Sequence, residues 1–203
     1  MGEQAATVHV IDDDAALRAA LDSLFRSTGL ATRLFGSTTE FLAAPRAEGA
    51  GCLVVDIRLP GLSGLDFQEQ LAGLGVSLPV VLMTGHGDIP MSVRGMKAGA
   101  VDFLTKPFRD QDMLDAVAAA IARDRDRRAA EGRLDALRAR YATLSPRERQ
   151  VMALVAAGKM NKQIAGDLSL SEITVKIHRG AAMRKMEARS LAELVRMSEA
   201  LGA

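Results

Sequence analysis

Val8-His-Val-Ile-Asp-Asp-Asp14 and Cys52-Leu-Val-Val-Asp-Ile-Arg-Leu-Pro-Gly61 decide the fold. Each is a short, nearly unbroken apolar run that ends in aspartate. Runs of this length and character suit strands covered on both faces, as in a parallel sheet. Working outward, similar runs occur at Ala31–Phe35, Val80–Met83 and Val101–Leu104, so five recur at intervals of roughly 21–27 residues, the spacing of a βα repeat. Helical periodicity fills the gaps: Leu17, Leu21, Leu24 and Phe25 recur at i, i+4, i+7 and i+8, with shorter patterns at Phe41-Leu42, Phe67/Leu71 and Val93/Met96. The expected fold is α/β, a doubly wound five-stranded parallel sheet that binds ligands outside the carboxyl ends of its strands.

That edge is where the polar residues collect. Asp12, Asp13 and Asp14 follow the first strand and Asp56 follows the third, its neighbour in a doubly wound sheet. Several carboxylates in one small volume repel unless a cation relieves them. Hard oxygen ligands in small number suit Mg²⁺, which also recruits phosphate oxygens. Thr84 ends the fourth strand and Lys106 the fifth, adding a hydroxyl and an ammonium for an oxyanion. A metal, a lysine and a hydroxyl around one aspartate make an electrostatic clamp for phosphoryl transfer, with Asp56 as nucleophile and an aspartyl phosphate as product. Taken singly, the Asp run reads as a helix cap, Asp56 as a turn former and Lys106 as a surface charge. Their joint placement at four strand ends carries the argument.

The chain has 203 residues, enough for one large domain or two small ones at roughly 100–200 residues each. It is 48% apolar and 25% charged, so it can bury a core and stay soluble. No window approaches the roughly 18 unbroken apolar residues of a membrane helix. The start, MGEQAATVHVIDDD, lacks the pattern of a secretory signal and fits myristoylation poorly. The single cysteine, Cys52, cannot make an internal disulfide or a multi-cysteine zinc site and reads as a small buried hydrophobe. The expected location is cytoplasmic. Net charge is +1, but residues 1–120 carry −6, residues 121–143 carry +3 and residues 144–203 carry +4. An acidic first part and a basic last part suggest two modules, the second with a polyanionic partner. With no Trp and one Tyr, there is little material for stacking on single-stranded bases.

Between Asp110 and Arg140 Gly132 interrupts a stretch otherwise free of Gly and Pro. An apolar stripe of Met113, Leu114, Val117 and Ile121 gives way to the charged run Arg123–Arg128, then resumes at Leu134, Leu137 and Tyr141. This reads as a helix continuing into a charged helical linker, either solvated or forming a dimer seam. The last 60 residues lack a strand pattern and divide into four helices. Ser145-Pro-Arg-Glu148 and Ser190-Leu-Ala-Glu193 read as capping boxes, Asn161 and Ser171 as caps, and Gly158 as a left-handed terminator. Asn161–Leu168, a short turn and Glu172–Met186 read as a helix-turn-helix whose second helix can enter the major groove. Lys176 and Arg179 share one face of that helix, Arg184 and Lys185 follow, and Lys159 and Lys162 add charge nearby. The plainer alternative is a helical bundle with a solvated basic face.

Residues 6–121 resemble a two-component receiver domain through the strings VIDDD, VVDIRLPGLSG, VVLMTGHGD and AGAVDFLTKPF. The resemblance implies that Asp12 and Asp13 are the acidic pair, Asp13 being a direct Mg²⁺ ligand, and that Asp56 is the phosphoacceptor. It further implies that Arg58 lends its backbone carbonyl to the metal and that Thr84 and Lys106 hold the phosphoryl oxygens. Phe103 takes the aromatic switch position, with a plain core aromatic as the alternative, and the Lys106–Pro107 bond is expected cis. Residues 142–199 resemble the LuxR-type helix-turn-helix domain, with 122–141 as linker. That likeness implies a tetrahelical core. It places Lys176 and Ile177 against bases, Arg179 where the FixJ-like branch has arginine, and Thr174, Lys162 and Lys185 among the DNA-contacting residues. Gly180, Ala181 and Ala182 depart from the pattern and leave local contacts open there, and His178 is read as a backbone or phosphate contact at best.

Together the halves resemble a FixJ/NarL-class response regulator of the FixJ-like branch. This implies a transcription factor that takes a phosphoryl group from a sensor histidine kinase and dimerises on phosphorylation. It would then bind double-stranded promoter DNA, with RNA polymerase as a further partner. The unphosphorylated receiver is expected to mask the DNA-binding domain or keep the chain monomeric. Enzymatic activity is expected to stop at slow self-phosphorylation and autodephosphorylation. A phosphohydrolase of the haloacid-dehalogenase type would need an aspartate where Arg58 stands. A signalling protein whose tail binds protein rather than DNA is the remaining alternative.

Overall fold

The computed structural model describes residues 5–85 and 89–202. The first four residues, part of the start tested above for targeting signals, and residues 86–88 of the string VVLMTGHGD lie outside the described residues. The chain forms two compact units, residues 1–128 and 129–203.

The first unit alternates strands and helices. Its strands are β1 (Thr7–Ile11), β2 (Ala31–Phe35), β3 (Gly51–Asp56), β4 (Val80–Thr84) and β5 (Asp102–Thr105). Between them run α1 (Ala15–Ser27), α2 (Thr38–Ala43), α3 (Gly64–Gln70) and α4 (Ile89–Lys97). The long α5 (Asp110–Ala142) begins in this unit. The sheet is parallel, in the order β2-β1-β3-β4-β5. Alternation along each strand supplies two cores. On one face Val8, Val10, Cys52, Val54 and Met83 pack with Phe25 of α1 and Met113 and Val117 of α5. On the other Ile11, Leu53, Val55 and Leu82 pack with Leu65 and Phe67 of α3. Helices on both faces make the sheet doubly wound, as the apolar runs predict. Cys52 is buried and free, and burial pushes its thiol up to about 12, so it behaves as a small apolar side chain. β5 starts one residue after the apolar run that announces it, and it is half-exposed as an edge strand.

The charged run after Ile121 conceals a buried acid. Asp124 is fully buried and accepts hydrogen bonds from the Gly51 N–H at 3.0 Å, Arg127 at 2.5 Å and Arg128 at 2.7 Å. These bonds keep α5 attached to the start of β3 through Arg128, so the linker expected from residue 122 packs with the first unit over its first two turns. Burial works against the charged carboxylate, but the bonds from Arg128, Arg127 and Gly51 outweigh it and hold its pKa below the ordinary 3.8.

In the second unit the end of α5 joins α6 (Pro146–Ala156), α7 (Asn161–Leu168), α8 (Glu172–Met186) and α9 (Leu191–Leu201). Leu144, Val151, Met152, Ile164, Val175, Ala182, Met186 and Leu194 form its core, with Leu137 and Tyr141 of α5 against it. The second half of the α5 stripe therefore belongs to this core, and Ala182 lies inside it. The expected caps form at Ser145, with its full capping box, and at Ser171; Gly158 is left-handed. Two differ. Ser190 caps α9, but Glu193 turns to the Arg189 N–H. Asn161 is not the cap but the first residue of α7: Met160 takes the cap position, its N–H donates to Gln163, and the Asn161 side chain accepts from Arg179 instead.

Replacing Asp124 by Asn weakens its ion pairs with Arg127 and Arg128 and should cost about 1–3 kcal/mol. Amide exchange across Gly51–Asp56 should then run roughly 5–150-fold faster. A depressed native pKa stabilises above the unfolded value and is lost as pH falls through the native one. The difference from the parent should therefore hold from about pH 5 upward and shrink below 3.8. Equal exchange in the two proteins at pH 7 would contradict the anchor.

Candidate functional site

Parallel pairing fixes where the acidic residues meet. Ile11 of β1 pairs with Val55 of β3, so Asp12 and Asp56 leave adjacent strands side by side. Asp56 is the last residue of β3 itself and is buried with Asp12, whereas Asp13 is exposed. One carboxylate oxygen from each of Asp12, Asp13 and Asp56 falls within 4.8 Å of the others. Asp14 is not in this group: it caps α1 by accepting from the Ala16 and Leu17 N–H groups. At an effective dielectric of about 20, two unit charges some 4–5 Å apart repel by roughly 3–4 kcal/mol.

Lys106 offsets part of that repulsion. Its ammonium lies 2.7 Å from Asp12 Oδ2 and 3.2 Å from Asp56 Oδ2. It arrives from β5, where the Lys106 N–H donates to the Thr84 carbonyl at 2.7 Å, and the Lys106–Pro107 bond is cis, as expected. Burial opposes the ammonium, but the Asp12 hydrogen bond and the charges of Asp12 and Asp56 outweigh it, so the Lys106 pKa is raised. Burial raises the Asp12 carboxyl, and the bonds from Lys106 and the Asp14 N–H offset this only in part.

Three carboxylates and one ammonium leave a net charge of about −2, which a divalent cation would balance. The donor set fits in kind: all three ligand atoms are hard oxygens gathered within 4.8 Å of one another, the ligand type that Mg²⁺ takes. Asp56 Oδ1 is buried with no hydrogen-bond partner, an arrangement that is costly unless something else binds there.

Thr84 is fully buried at the end of β4. Phe103 is half-buried against the α3–α4 side of the core. The Arg58 side chain is exposed and lines a shallow groove with Met91 and Arg94. Two site-shaping residues carry no local sequence signal. Arg18 donates to the Asp12 carbonyl at 2.5 Å. Gly64 lies so close to the chain that a Cβ there would sit 2.3 Å from the Asp56 carbonyl oxygen. Its N–H donates to Ile57, closing the β3–α3 loop onto the acidic edge.

In the second unit α7 and α8 are joined by Ser169, in the left-handed conformation, and Leu170, with Ser171 as cap: a helix-turn-helix. Lys162, Lys176 and Ile177 are exposed, the last 63%. Thr174 and His178 are half-buried, and the Thr174 hydroxyl bonds that of Ser171. Arg179 is part-buried and donates to Asn161 Oδ1 at 3.0 Å. Lys185, expected at the DNA, has its ammonium 2.7 Å from Glu148 and 3.2 Å from the Thr143 carbonyl. Its hydrogen bond, with the Ser145 N–H, holds the Glu148 carboxyl below its ordinary range. Lys185 stays partly exposed while this pair ties α8 to α6. Among the described residues no helix is long and apolar enough to cross a membrane.

Known proteins match both units. Residues 8–118 match the response regulator receiver domain, and residues 142–198 match the bacterial regulatory proteins of the luxR family. Nodulation protein W of Bradyrhizobium diazoefficiens is 58% identical over 197 residues, which cover 97% of this chain and 87% of that one. Transcriptional regulatory protein FixJ of Azorhizobium caulinodans is 46% identical over 191 residues, covering 94% and 90%. The solved structure of response regulator StyR superposes with a TM-score of 0.84 at 47% identity, covering 96% of this chain and 98% of that one. Sequence and fold agree along nearly the whole length, and the chain belongs to the FixJ/NarL class of response regulators, with a receiver domain and a LuxR-type DNA-binding domain.

Proposed function

We propose that the chain is a phosphorylation-controlled transcriptional regulator, with Asp56 as phosphoacceptor, a sensor histidine kinase as donor and promoter DNA as target. The observation that carries this reading is the convergence of Asp12, Asp13, Asp56 and Lys106 at one sheet edge. An Asp56 carboxylate oxygen attacks phosphorus, the new O–P bond forms as the bond to the donor's nitrogen breaks, and the departing imidazole takes up a proton. Lys106 and the Thr84 hydroxyl hold the transferred phosphoryl oxygens. Asp12, Asp13, Asp56 and the Arg58 carbonyl would hold Mg²⁺, which when bound would supply positive charge against the phosphoryl oxygens.

The phosphoryl group adds about −1.5 to −2 charge. Lys106, now bound to Asp12 and Asp56, gains a third anionic partner, and Thr84 moves toward the new oxygens. Phe103 then fills the space that Thr84 leaves, changing the α4–β5–α5 surface. Dimerisation follows and presents two recognition helices to a roughly two-fold DNA site. Shifting the population from about 1:99 to 99:1 requires roughly 5.5 kcal/mol of preference for the active state. On DNA, Lys176, Ile177 and Thr174 approach the major groove from the exposed start of α8, Arg179 does so from its bond to Asn161, and Lys162 contacts phosphate. The proposed site of action is the cytoplasm, with RNA polymerase as a further partner. Catalysis is limited to slow self-phosphorylation and autodephosphorylation.

Asp56→Asn should abolish acyl-phosphate formation from a small phosphodonor while the circular dichroism spectrum stays unchanged, since a neutral amide does not attack phosphorus. Label uptake equal to that of the parent would contradict the assignment. Lys176→Ala should weaken binding to promoter fragments co-purified with the phosphorylated chain by about 1–3 kcal/mol, with unchanged thermal unfolding. An unchanged footprint and affinity in a gel shift at moderate salt would remove Lys176 from base recognition. Absence of any DNA shift by the parent would favour a protein-binding tail.

A further inference from the structure

A pocket of about 100 Å³ lies on the α2 side of the sheet, away from the acidic edge. It exists because α2 is one and a half turns long and the chain then runs without helix to β3. This leaves His9 of β1 and Arg33 of β2 uncapped from that side. The two are register partners on adjacent parallel strands, so their side chains stand next to each other on one face. Both line the pocket, with Phe41, Leu42 and Leu78 as its apolar surface and Arg46 and Arg128 among its borders.

Three features point to an anionic organic ligand. First, His9 is 97% buried, yet its Nδ1 has no hydrogen-bond partner. Such atoms are rare in folded proteins, and each calls for a ligand or water. Second, three guanidinium groups border the pocket, of which Arg128 is already paired with Asp124, and among its described lining residues none is acidic. Third, those guanidinium groups are held in place. Arg46 donates to the Gly75 and Leu74 carbonyls at 2.6 and 3.1 Å. Arg128 is fixed by Asp124, and Arg33 donates to the Pro45 carbonyl while lying 5.5 Å from the Phe35 ring centroid. Fixed cations bind an anion with little ordering cost.

Burial, followed by the charge of Arg33, lowers the His9 pKa to about 4, so its imidazole is neutral at pH 7 and Nδ1 can carry a proton to donate. The rings set the shape of the guest. His9 lies edge-on to Phe41, centroids 5.6 Å apart, and parallel to Phe35. A void of roughly 150 Å³ encloses benzene, so this one, of about 100 Å³, takes the carboxylate end of a single-ring guest and leaves part of the ring at the rim.

We propose that this pocket is a binding site for a small planar carboxylate of about benzoate size, its carboxylate bridging His9 and Arg33 and its ring against Phe41 and Leu78. The site is distinct from the acidic edge and does not depend on phosphoryl transfer there. At ordinary ligand efficiency a guest of this size binds with a Kd on the order of 1–10 mM.

The test is an NMR titration of the full chain, labelled at the histidine ring nitrogens and backbone amides, with benzoate, benzyl alcohol and acetate as probes. Benzoate should shift the His9 ring and the Phe41 and Leu78 amides saturably, and the other two probes should bind at least about tenfold more weakly, since each lacks one half of the recognised group. Arg33→Gln should weaken benzoate about tenfold. His9→Phe keeps an aromatic ring in the cluster and removes the orphaned nitrogen, so it should retain the spectrum of a folded chain yet lose the saturable response. The proposal is overturned if benzoate leaves His9 unshifted at about 50 mM. It is overturned equally by shifts centred on Lys106, by benzyl alcohol binding as tightly as benzoate, or by a folded His9→Phe variant that binds like the parent.

Discussion

Lys106 meets two buried carboxylates at once, Asp12 at 2.7 Å and Asp56 at 3.2 Å, and much of the first unit is arranged around that contact. One ammonium balances one of the three negative charges in the group and leaves the others uncompensated. Such a concentration of charge is tolerable at the mouth of a parallel sheet, where solvent, a cation or a phosphoryl group can reach it, and would be costly in either apolar layer beneath. The strand order puts β1 beside β3 and β5 beyond β4, so residues 12, 56 and 106 converge although the chain between them is long. The proposed chemistry uses that imbalance: a divalent cation and an incoming phosphoryl group change the charge at a point where β1, β3, β4 and β5 all end.

The supports of this edge are mostly small and local. Gly64 lets the β3–α3 loop close against the Asp56 backbone, and Arg18 ties α1 to the Asp12 carbonyl. Gln68 reaches from α3 to the Gly95 carbonyl in α4, next to the ion pairs of Arg94 with Asp66 and Glu69. At the opposite end of β3, Asp124 secures the start of the strand whose last residue is Asp56. In the second unit, internal bonds hold some of the cations and leave others exposed. Lys185 is bound to Glu148 and Arg179 to Asn161, while Lys162 and Lys176 stay exposed beside Ile177. The two domains thus separate the jobs the charge asymmetry suggests, an acidic edge in one and a basic helix in the other.

Much of this was legible in the sequence because it is local or periodic. The apolar runs specify the strands, the Ser145 box starts α6, and Asp12, Asp13, Asp56 and Lys106 stand at strand ends that a doubly wound order brings together. What escaped depends on partners distant in the chain. Asp124 sits in a run of charges and looks solvated until the Gly51 N–H is placed against it. Lys185 looks like an unpaired cation of α8 until α6 presents Glu148. Asn161 has the chemistry of a cap, but α7 begins one residue earlier because Gln163 satisfies the Met160 N–H. No spacing rule pairs His9 with Arg33, since their contact exists only in the register of β1 with β2.

The central claim, that the acidic edge is a divalent-cation and phosphoryl site, is tested most directly by anomalous diffraction from crystals of this chain grown with Mn²⁺ as a Mg²⁺ substitute. The account predicts one strong peak within about 2–2.5 Å of carboxylate oxygens from both Asp13 and Asp56. A peak bound elsewhere, or none at this edge with manganese present at millimolar concentration, would contradict it.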